Sequence, residues 1–593
     1  MQTEVTTART GALDGPAEYA IVAGLGLAAM ATIGTWLTGQ ISGLLFRLTW
    51  PRASFSDSFA VALRLPVNWR DPRQAWPEAA RNDLPGTFGI YVAALLVLAL
   101  IITMVVVVAR RLARSRQLRG FASRQQLEAT LSRRAVFART PRLRPSLTGQ
   151  PQIEDIAVSL GRAVPSRIEL AATVDNSVLL LAAPRQGKTS QVIIPWLKDW
   201  PGPALVTSVR PDVLHNTLTL RRERGPIAIM DLSGDIGACR LRWSPLDGCR
   251  EFDKARERAD IMVTVGKTDH SDSTNAGFFG LTATNLLAGW LHIAAVTDRT
   301  LDDVLRWALN ETDDEPVKLL AAANGAHPHV GPMLETIYNS PTETRSNMWA
   351  TVLTGLGPLL TKSAHDTFCP AAGECFDIEG FLRSNGTIYL MVSEKQAAQL
   401  APLISAFVDE ITIIAKRLAD VSDGERLDPP LGLFLDEVAN VVPLPSLPAL
   451  MSYAGGSGIF IIAVLQNLAQ ARQRWGRERA EMLWGAATVK IALGGLTGDE
   501  LEDLSRLAGE YRETVTTPQR GPSGTSFNTH VVDRKTISSD AVRTLSEAKR
   551  EALIIHATTP AVKTRMIRHY EGPDAKAYAG AVEQARHLLR EGR

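Results

Sequence analysis

One stretch decides the fold of this chain: Ser177-Val-Leu-Leu-Leu-Ala-Ala-Pro-Arg-Gln-Gly187-Lys188-Thr189. It begins with an apolar run that is too short for a typical helix, and it continues as a loop of small residues. At Gly187 the sequence resumes with residues that begin a helix. The order of strand, turn and helix start can therefore be read directly from the sequence.

The loop has the composition of a phosphate-binding loop. Backbone N–H groups at a helix start attract anions, Lys188 reaches the β and γ oxygens of a nucleotide, and the Thr189 hydroxyl is a ligand for Mg²⁺. The pattern G-x-x-x-x-G-K-[ST] is complete except at its first glycine, which is Ala182. Because alanine tolerates fewer backbone conformations, we expect a negative φ at Ala182 or some strain. The residues predicted to bind ATP are Ala183, Pro184, Arg185, Gln186, Gly187, Lys188, Thr189 and Ser190.

The composition is that of a multidomain protein with a packed core. The chain has 593 residues, of which 45% are hydrophobic and 21% are charged, enough for about three or four domains. The formal net charge of +2 argues against a strongly basic protein that coats DNA. Any contact with nucleic acid is therefore expected to be a local patch or a lined channel.

The cysteines give no sign of a disulfide framework. The four are Cys239, Cys249, Cys369 and Cys375. They are few and lack CxxC spacing, which fits a reducing cytosol for the main body. We interpret them as structural residues that bind no metal, and we interpret His327 and His329, separated by one proline, as part of a turn.

Two uncharged stretches near the amino end predict a membrane anchor. They cover residues 19–46 and 84–109, and each exceeds the about 20 apolar residues that cross a bilayer. We predict that residues 1–110 form the anchor, with transmembrane helices at about 19–42 and 86–109. A cleaved signal peptide is the alternative for the first stretch, but the tail before it is a poor signal-peptide start.

The orientation of the anchor depends on more than its arginines. Residues 110–134 contain many arginines, which favours a cytoplasmic location, but the loop between the two stretches is also rich in arginine. Because ATP is cytosolic, we place the body after Arg110 in the cytoplasm and residues 47–83 outside. Residues 111–150 are predicted to be a basic juxtamembrane segment and linker.

The body alternates short apolar runs with helical stretches. This alternation predicts an α/β fold with a mostly parallel sheet, in which ligands bind at the carboxyl ends of strands. The predicted strands after the first are 204–209, 227–232, 387–392, 431–435, 459–465 and 489–493. We assign residues 151–250 and 376–593 to the nucleotide-binding domain, with a surface loop at residues 516–528 that is rich in Thr, Ser, Gly and Pro.

Between the two parts of that domain the alternation stops. Four stretches have helical patterns, at residues 255–265, 275–295, 300–310 and 341–360. We predict an all-α domain inserted at residues 251–375.

A second cluster of polar residues follows two later strands. The run Leu431–Leu435 ends in Asp436 and Glu437, where one carboxylate can hold Mg²⁺ and the other can activate a water. The next strand ends in Gln466, which can contact the γ-phosphate or that water. Together with the loop at Lys188, these residues form the pattern of a nucleotide hydrolase.

At this point the sequence resembles the coupling proteins of type IV secretion, the TraG/TraD family of membrane ATPases in conjugative DNA transfer. The likeness covers most of the chain from about Phe121. The matching motifs are Pro184-Arg-Gln-Gly-Lys-Thr189, Thr207-Ser-Val-Arg-Pro-Asp212, Leu435-Asp-Glu-Val-Ala-Asn440, Leu447-Pro-Ala-Leu450 with Tyr453, and Gln466-Asn-Leu-Ala-Gln470 before Trp475-Gly476.

The resemblance implies a RecA-like P-loop ATPase domain that assembles as a homohexamer, and a helical domain that meets the relaxosome. It also implies ATP-driven passage of relaxase-bound single-stranded DNA toward the channel proteins of type IV secretion. Carried over to this chain, Lys188 and Thr189 bind ATP and Mg²⁺. Asp436, a second Mg²⁺ ligand, and Glu437 form the catalytic motif, and Gln466 is the third catalytic position.

Two departures from the family pattern matter. One is Ala182, and the other is the segment 454–458, where relatives commonly carry basic residues. No arginine acting across subunits can be assigned there, so Arg210 and Arg345 become the candidates. The run from Arg472 to Arg479 contains Trp475 and has the composition of a single-strand-binding groove, but the sequence favours a solvated helix face over such a groove.

Two other functions are consistent with parts of this pattern. The first is a double-stranded DNA pump of the FtsK kind, which would be expected to carry a winged DNA-reading domain. The last predicted helix, at residues 576–590, is too short for one. The second is a membrane scaffold that binds nucleotide without hydrolysis, which has no need of the water-activating Glu437.

Overall fold

The computed structural model describes residues 16–117, 119–234, 236, 240–267, 274–371, 373–521 and 524–591. Cys239 lies outside these residues. The chain divides into two compact units, one formed by Met1–Arg119 with Glu510–Thr536 and the other by Gly120–Gly509 with Ile537–Arg593.

The first unit contains two long helices near its amino end. Its helices are α1 (Pro16–Arg47), α2 (Asp57–Arg64), α3 (Glu78–Arg81) and α4 (Thr87–Gln117), with a 3₁₀ turn at Pro72–Ala75. α1 packs against α4, and a small apolar cluster that includes Trp76 and Leu84 lies among the short elements.

Only one of the predicted membrane spans has the apolar character of a span in the described residues. Within α4, the 22 residues Thr87–Val108 have a mean hydropathy of 3.1 and are 17% buried, so their apolar side chains face outward. α1 is long enough to cross a bilayer but is not among the described helices that meet the same hydropathy criterion. The two-span anchor therefore stays a prediction.

Two further described helices are long and apolar enough to cross a membrane, although they are less apolar than α4. They are Gly277–Val296 and Glu394–Asp420, which are 67% and 78% buried within the fold. Burial by neighbouring protein explains their apolar sequence, so they belong to the core of the second unit.

An eleven-stranded sheet forms the centre of the second unit. Its strands are β1 (Ala157–Ala163), β2 (Glu169–Thr173), β3 (Ser177–Leu181), β4 (Ala204–Ser208), β5 (Ile227–Asp231), β6 (Thr387–Met391), β7 (Leu431–Leu435), β8 (Ile459–Leu465), β9 (Val489–Ala492), β12 (Glu551–His556) and β13 (Thr559–Arg565). Their order is β2-β1-β13-β12-β9-β3-β8-β7-β4-β6-β5. The run from β9 to β5 is parallel. Every residue of β3, β7 and β8 is buried, as expected for strands covered on both faces. The predicted α/β fold with a large parallel sheet is confirmed.

The remaining four strands extend this sheet in antiparallel fashion, and no sequence pattern had indicated them. β12 pairs with β9, β13 with β12, β1 with β13, and β2 with β1. This antiparallel part of the sheet therefore combines β1 and β2, from the beginning of the second unit, with β12 and β13, from near its end.

The prediction of a surface loop at residues 516–528 is wrong. In the first unit, β10 (Glu510–Gly521) pairs with β11 (Gly524–Lys535) in a separate two-stranded ribbon. Thr516 lies opposite Thr529, and Pro518 lies opposite Phe527. Proline is tolerated because a two-stranded ribbon consists only of edge strands, where a missing N–H can face away from the partner strand.

Helices cover the sheet and fill the segment between β5 and β6. Those of the second unit are α5 (Arg124–Thr130), α6 (Arg133–Phe137), α7 (Thr140–Leu143), α8 (Ile194–Asp199), α9 (Asp212–Arg222), α10 (Phe252–Gly266), α11 (Thr274–Val296), α12 (Leu301–Leu309), α13 (Glu315–Ala322), α14 (Val330–Tyr338), α15 (Thr342–Leu356), α16 (Lys362–Phe368), α17 (Ile378–Arg383), α18 (Glu394–Asp420), α19 (Val438–Val441), α20 (Leu447–Tyr453), α21 (Leu468–Trp475), α22 (Arg477–Ala486), α23 (Glu500–Leu507), α24 (Ser539–Arg543) and α25 (Ala575–Glu591). Among the described residues of α10 to α17 there is no strand, and the exact domain boundaries remain predictions.

The segment α10 to α16 shares its core with the sheet. One continuous set of buried side chains runs from β3 and β7 through α18 into α10, α11 and α15. A buried ion pair also joins α10 to α18, with Arg258 Nη2 lying 2.5 Å from Glu410 Oε2. Removing one partner of such a pair leaves the other charge buried without compensation. The helical segment is therefore fixed to the sheet and is not an appended module.

The neighbouring Asp409 is expected to reduce stability at neutral pH. Burial raises its pKa to about 6, although Ser446 donates a hydrogen bond to its Oδ1 at 3.2 Å. The native state therefore binds a proton more tightly than the unfolded state, and stability falls as the pH rises from about 4 to about 6. Asp409→Asn should remove this loss and stabilise the protein at pH 7. Since Asp409 keeps some contact with solvent, the gain should stay below about 3 kcal/mol.

Thermal unfolding of both proteins across this pH range checks the expectation. The gain from Asp409→Asn should grow between pH 4 and pH 6 and then stay constant. A gain that does not change with pH, or a loss of stability at pH 7, would contradict it.

Candidate nucleotide-binding site

Three parallel strands end side by side at one edge of the sheet. β8 lies between β3 and β7, with Leu181 opposite Leu465 and Leu435 opposite Ala463. The backbone N–H of Ala182 also donates to the carbonyl of Leu465 at 3.1 Å. The residues after these three strands are consequently neighbours in space.

In the loop after β3, Ala182 replaces the first glycine of the motif without backbone strain. Ala182 is fully buried, and its φ is outside the left-handed region. Positive φ occurs instead at Arg185 (64°) and Gly187 (81°). The φ of Gly187 is strained for any other residue, so the loop requires glycine at this position.

The helix that follows starts with a wide turn. Thr189–Ile193 is π-helical before α8 begins, and such turns are rare and frequently found at functional sites. The N–H of Gln191 donates to the carbonyl of Gly187 at 2.9 Å, and the Ser190 hydroxyl donates to the same carbonyl at 3.3 Å. These bonds hold the loop against the start of the helix.

Lys188 pairs with both carboxylates that follow β7. Its Nζ lies 2.8 Å from Oδ1 of Asp436 and 3.3 Å from Oε1 of Glu437. Burial disfavours the charged amine, but the two carboxylates outweigh burial and raise the pKa of Lys188. Asp436 is only 5% exposed, and burial raises its pKa even beside the lysine. The three side chains carry more negative than positive charge, an arrangement that favours a cation.

The backbone at Glu437 is held in an uncommon conformation. Its φ of 51° and ψ of 44° are left-handed, which costs a non-glycine residue about 1–3 kcal/mol. Its N–H donates to Oδ1 of Asp436 at 3.0 Å. On the other side, the buried Thr207 hydroxyl donates to the Asp436 carbonyl at 2.9 Å. Strain that the surroundings enforce is typical of functional positions.

Gln466 follows β8 and begins a rigid corner. Its N–H donates to Oε1 of Gln470 at 3.1 Å, while Asn467 caps α21 by accepting from the N–H of Gln470 at 3.0 Å. The half-buried Gln466 therefore stands at a defined position on the strand edge that also carries the loop and the carboxylates.

Two contacts to the phosphate-binding loop come from segments that the sequence did not indicate. After β9, the φ of Gly495 is 80°, and a Cβ there would lie 3.0 Å from Cβ of Ala183. After β13, the N–H of His569 donates to the carbonyl of Ser190 at 3.0 Å, and Nδ1 donates to the same oxygen at 3.2 Å. Burial lowers the pKa of His569. The paired glycines at 494–495 after an apolar strand were the only available signal.

The predicted arginines differ in their surroundings. Arg210 is exposed just after β4 and remains a candidate for action across subunits. Arg345 donates to the carbonyl of Tyr338 at 3.1 Å, which gives it a structural role between α14 and α15. In the run from Arg472 to Arg479, Trp475 is buried and donates to a carbonyl of the core, so it is not available to stack on a base. The solvated helix face is the better description of this run.

A separate cavity lies beside α8. Its volume is about 340 Å³, and its lining includes Gln191, Trp196, Asp199 and Arg568. None of the residues that line it belongs to the lysine and carboxylate cluster, so the cavity is not the phosphate site.

The cluster fits a nucleotide with Mg²⁺. The loop can hold phosphates because it precedes the start of a helix, where backbone N–H groups attract anions, and because Lys188 is partly exposed. Oxygen donors from Thr189 and Asp436 are the ligand type that Mg²⁺ prefers. Glu437 and Gln466 stand beside them. The fold and the site together define a nucleotide-binding α/β protein with a P-loop.

Comparisons with known proteins indicate which P-loop proteins this chain resembles. Residues 430–547 match the family described as the TraM recognition site of TraD and TraG. A search of curated proteins finds no significant match. The matched segment includes β7, both carboxylates and Gln466.

Solved structures of a conjugative coupling protein share the fold. The unbound bacterial coupling protein TrwBdeltaN70 matches with a TM-score of 0.54 and 17% identity, covering 72% of this chain and 90% of TrwB. TrwB with ADP and Mg²⁺ matches with a TM-score of 0.52 and 17% identity, covering 69% of this chain and 89% of that chain. TrwB with a non-hydrolysable ATP analogue matches with a TM-score of 0.50 and 18% identity, covering 66% of this chain and 86% of that chain. Fold and matched segment support the resemblance to type IV coupling proteins that the motifs indicated.

Proposed function

We propose that this chain is a membrane-anchored ATPase that couples a relaxase–DNA complex to a type IV secretion channel and drives transfer of single-stranded DNA. The observation that carries the proposal is the cluster of Lys188, Asp436 and Glu437 at the strand ends. Its two carboxylates lie in the segment that matches the TraM recognition site. We further propose assembly as a homohexamer and contact with the relaxosome. The resemblance implies that the helical domain predicted at residues 251–375 makes this contact, and the family match adds residues 430–547 as a second candidate.

In the proposed reaction each residue has a separate task. Lys188 exchanges its carboxylate partners for the β and γ oxygens of ATP. Glu437, released from the lysine, orients the water that attacks the γ-phosphorus and accepts its proton, while the bond from the γ-phosphorus to the β–γ bridging oxygen breaks and ADP leaves. Gln466 contacts the γ-phosphate or that water. Thr189 and Asp436 would hold Mg²⁺, which neutralises phosphate charge when bound.

The strained backbone of Glu437 gives this assignment a physical reason. Glu437 is the second residue after β7, and its left-handed backbone turns the chain where its carboxylate lies next to Lys188.

ATP hydrolysis by the purified full chain in detergent tests the proposal. We expect hydrolysis that needs Mg²⁺ and rises on addition of DNA. If hydrolysis stays at background with and without DNA, the chain is a nucleotide-binding scaffold and the proposal is rejected.

The proposed topology predicts which side of the membrane is accessible. A cysteine at the exposed Ser56 should react with a membrane-impermeant thiol reagent in intact cells, whereas one at the exposed Gln125 should react only after permeabilisation. Gln125 is preferable to Ser123, whose side chain caps α5. The reverse pattern would overturn the orientation, and labelling at both positions in intact cells would mean that α4 does not cross the membrane.

A further inference from the structure

Three metal-binding side chains converge away from the nucleotide site. They are Asp302, His365 and Cys369, and one ligand atom from each lies within 4.8 Å of the others. Asp302 is in the first turn of α12, His365 is in α16, and Cys369 follows the end of α16.

The backbone explains why these atoms meet. Residues four apart on a helix share a face, and the N–H of Cys369 donates to the carbonyl of His365 at 2.9 Å, so the helical spacing holds for both side chains. Asp302 approaches from α12, with its Oδ1 lying 2.7 Å from Nε2 of His365. The capping box of α12 uses Thr300 and Asp303, which leaves the Asp302 carboxylate available to α16.

The charged residues next to the cluster pair with each other and not with its three side chains. Asp366, next to His365, is paired with Lys362 at 2.7 Å and lies 3.9 Å from Arg240. The contact between Asp302 and His365 involves two of the three side chains, and the third, Cys369, lies at the edge of the apolar core with its Sγ beside them.

We propose that Asp302, His365 and Cys369 bind a zinc ion that ties the start of α12 to α16. Sulfur, imidazole nitrogen and carboxylate oxygen are the ligands that zinc takes, and the Cys369 thiol is not in a disulfide. Three protein ligands leave one position for water. This inference differs from the sequence expectation that no cysteine binds a metal, and it does not depend on the proposed function.

The ion would act at the end of the helical segment. Thr367, within α16, accepts a hydrogen bond from the N–H of Trp243 at 2.9 Å, and Trp243 is a fully buried side chain of the core. A zinc ion at this point would therefore connect α12, through α16, to the chain that leaves β5.

The test uses the full chain purified without chelator. We expect about one zinc ion per chain by elemental analysis, and a thiolate-to-cobalt absorption band after exchange with Co²⁺. Cys369→Ser should abolish the band and lower zinc affinity by about 10-fold or more. Asp302→Asn, an exposed change that leaves the capping box intact, should lower affinity similarly while keeping the band. Cys375→Ser, an exposed cysteine six residues further on, is the control that should change neither.

The same preparations give the contrary outcomes. A protein that takes up no zinc would overturn the proposal. So would zinc affinity and a cobalt band that both survive Cys369→Ser, because the ion would then lie elsewhere. Protection of Cys369 but not Cys375 from alkylation by added zinc supports the site in a protein whose fold is unchanged.

Discussion

Lys188→Ala and Glu437→Gln are expected to inactivate the protein in different ways. Lys188→Ala should lose ATP affinity and turnover together, because the lysine supplies charge to the phosphates. Glu437→Gln should keep ATP bound and lose turnover by about 100-fold or more, since only the water depends on its carboxylate. Equilibrium binding of a fluorescent ATP analogue and steady-state hydrolysis measure the two effects separately.

The contacts around Lys188 add a second consequence. Without the lysine, the buried Asp436 and the neighbouring Glu437 face each other with no cation between them, so Lys188→Ala should also be less stable than Glu437→Gln at neutral pH. Glu394→Gln is the matched control, because Glu394 is an exposed carboxylate in the first turn of α18, after β6. Hydrolysis by Glu437→Gln at the parental rate would show that another group activates the water.

Single-stranded DNA is expected to stimulate hydrolysis severalfold more than duplex of the same length. A relaxase presents one strand of a nicked duplex, so a coupling protein must accept a single strand. With a net charge of +2 over the whole chain, binding depends on a limited set of phosphate contacts. The logarithm of affinity should therefore fall with the logarithm of salt concentration by only about 0.7 per contacted phosphate.

Stimulation curves with single-stranded and blunt duplex DNA at several salt concentrations measure both effects. Glu437→Gln serves as the control, since it should bind single-stranded DNA as the parent does while remaining inactive. Stronger stimulation by blunt duplex would favour a double-stranded DNA pump of the FtsK kind. Trp475 is buried, so its replacement by Phe should leave DNA binding unchanged.

The parallel strands could be read from the sequence because they are buried on both faces. The predicted bounds of β7 and β8 are those observed, Leu431–Leu435 and Ile459–Leu465, since a continuous apolar run of this length has few other uses. β1 and β2 could not be found in this way. Arg162 in β1 and Glu169 in β2 are exposed, and β1 pairs with β13, which lies about 400 residues later in the chain.

The candidate site was predictable from the sequence where its residues lie in local motifs, and not where distant strand pairing brings them in. Lys188, Asp436 and Glu437 belong to motifs with recognisable spacing, whereas His569 reaches Ser190 only because β13 brings it there. The ribbon of β10 and β11 was missed because its composition is that of a loop, with Pro518 inside a strand. Local sequence therefore determined the chemistry, and pairing between distant segments determined what surrounds it.

The position of β3 between β8 and β9 also sets when the site can form during synthesis. Both neighbours of β3 come from residues 459–492, and 248 residues separate Lys188 from Asp436. At about 5–20 residues per second, the lysine leaves the ribosome roughly 10–50 s before its partner. During this interval a fully apolar strand has no lateral partner. A nascent chain released before Ile459 would therefore have no nucleotide site and would depend on chaperones to stay soluble.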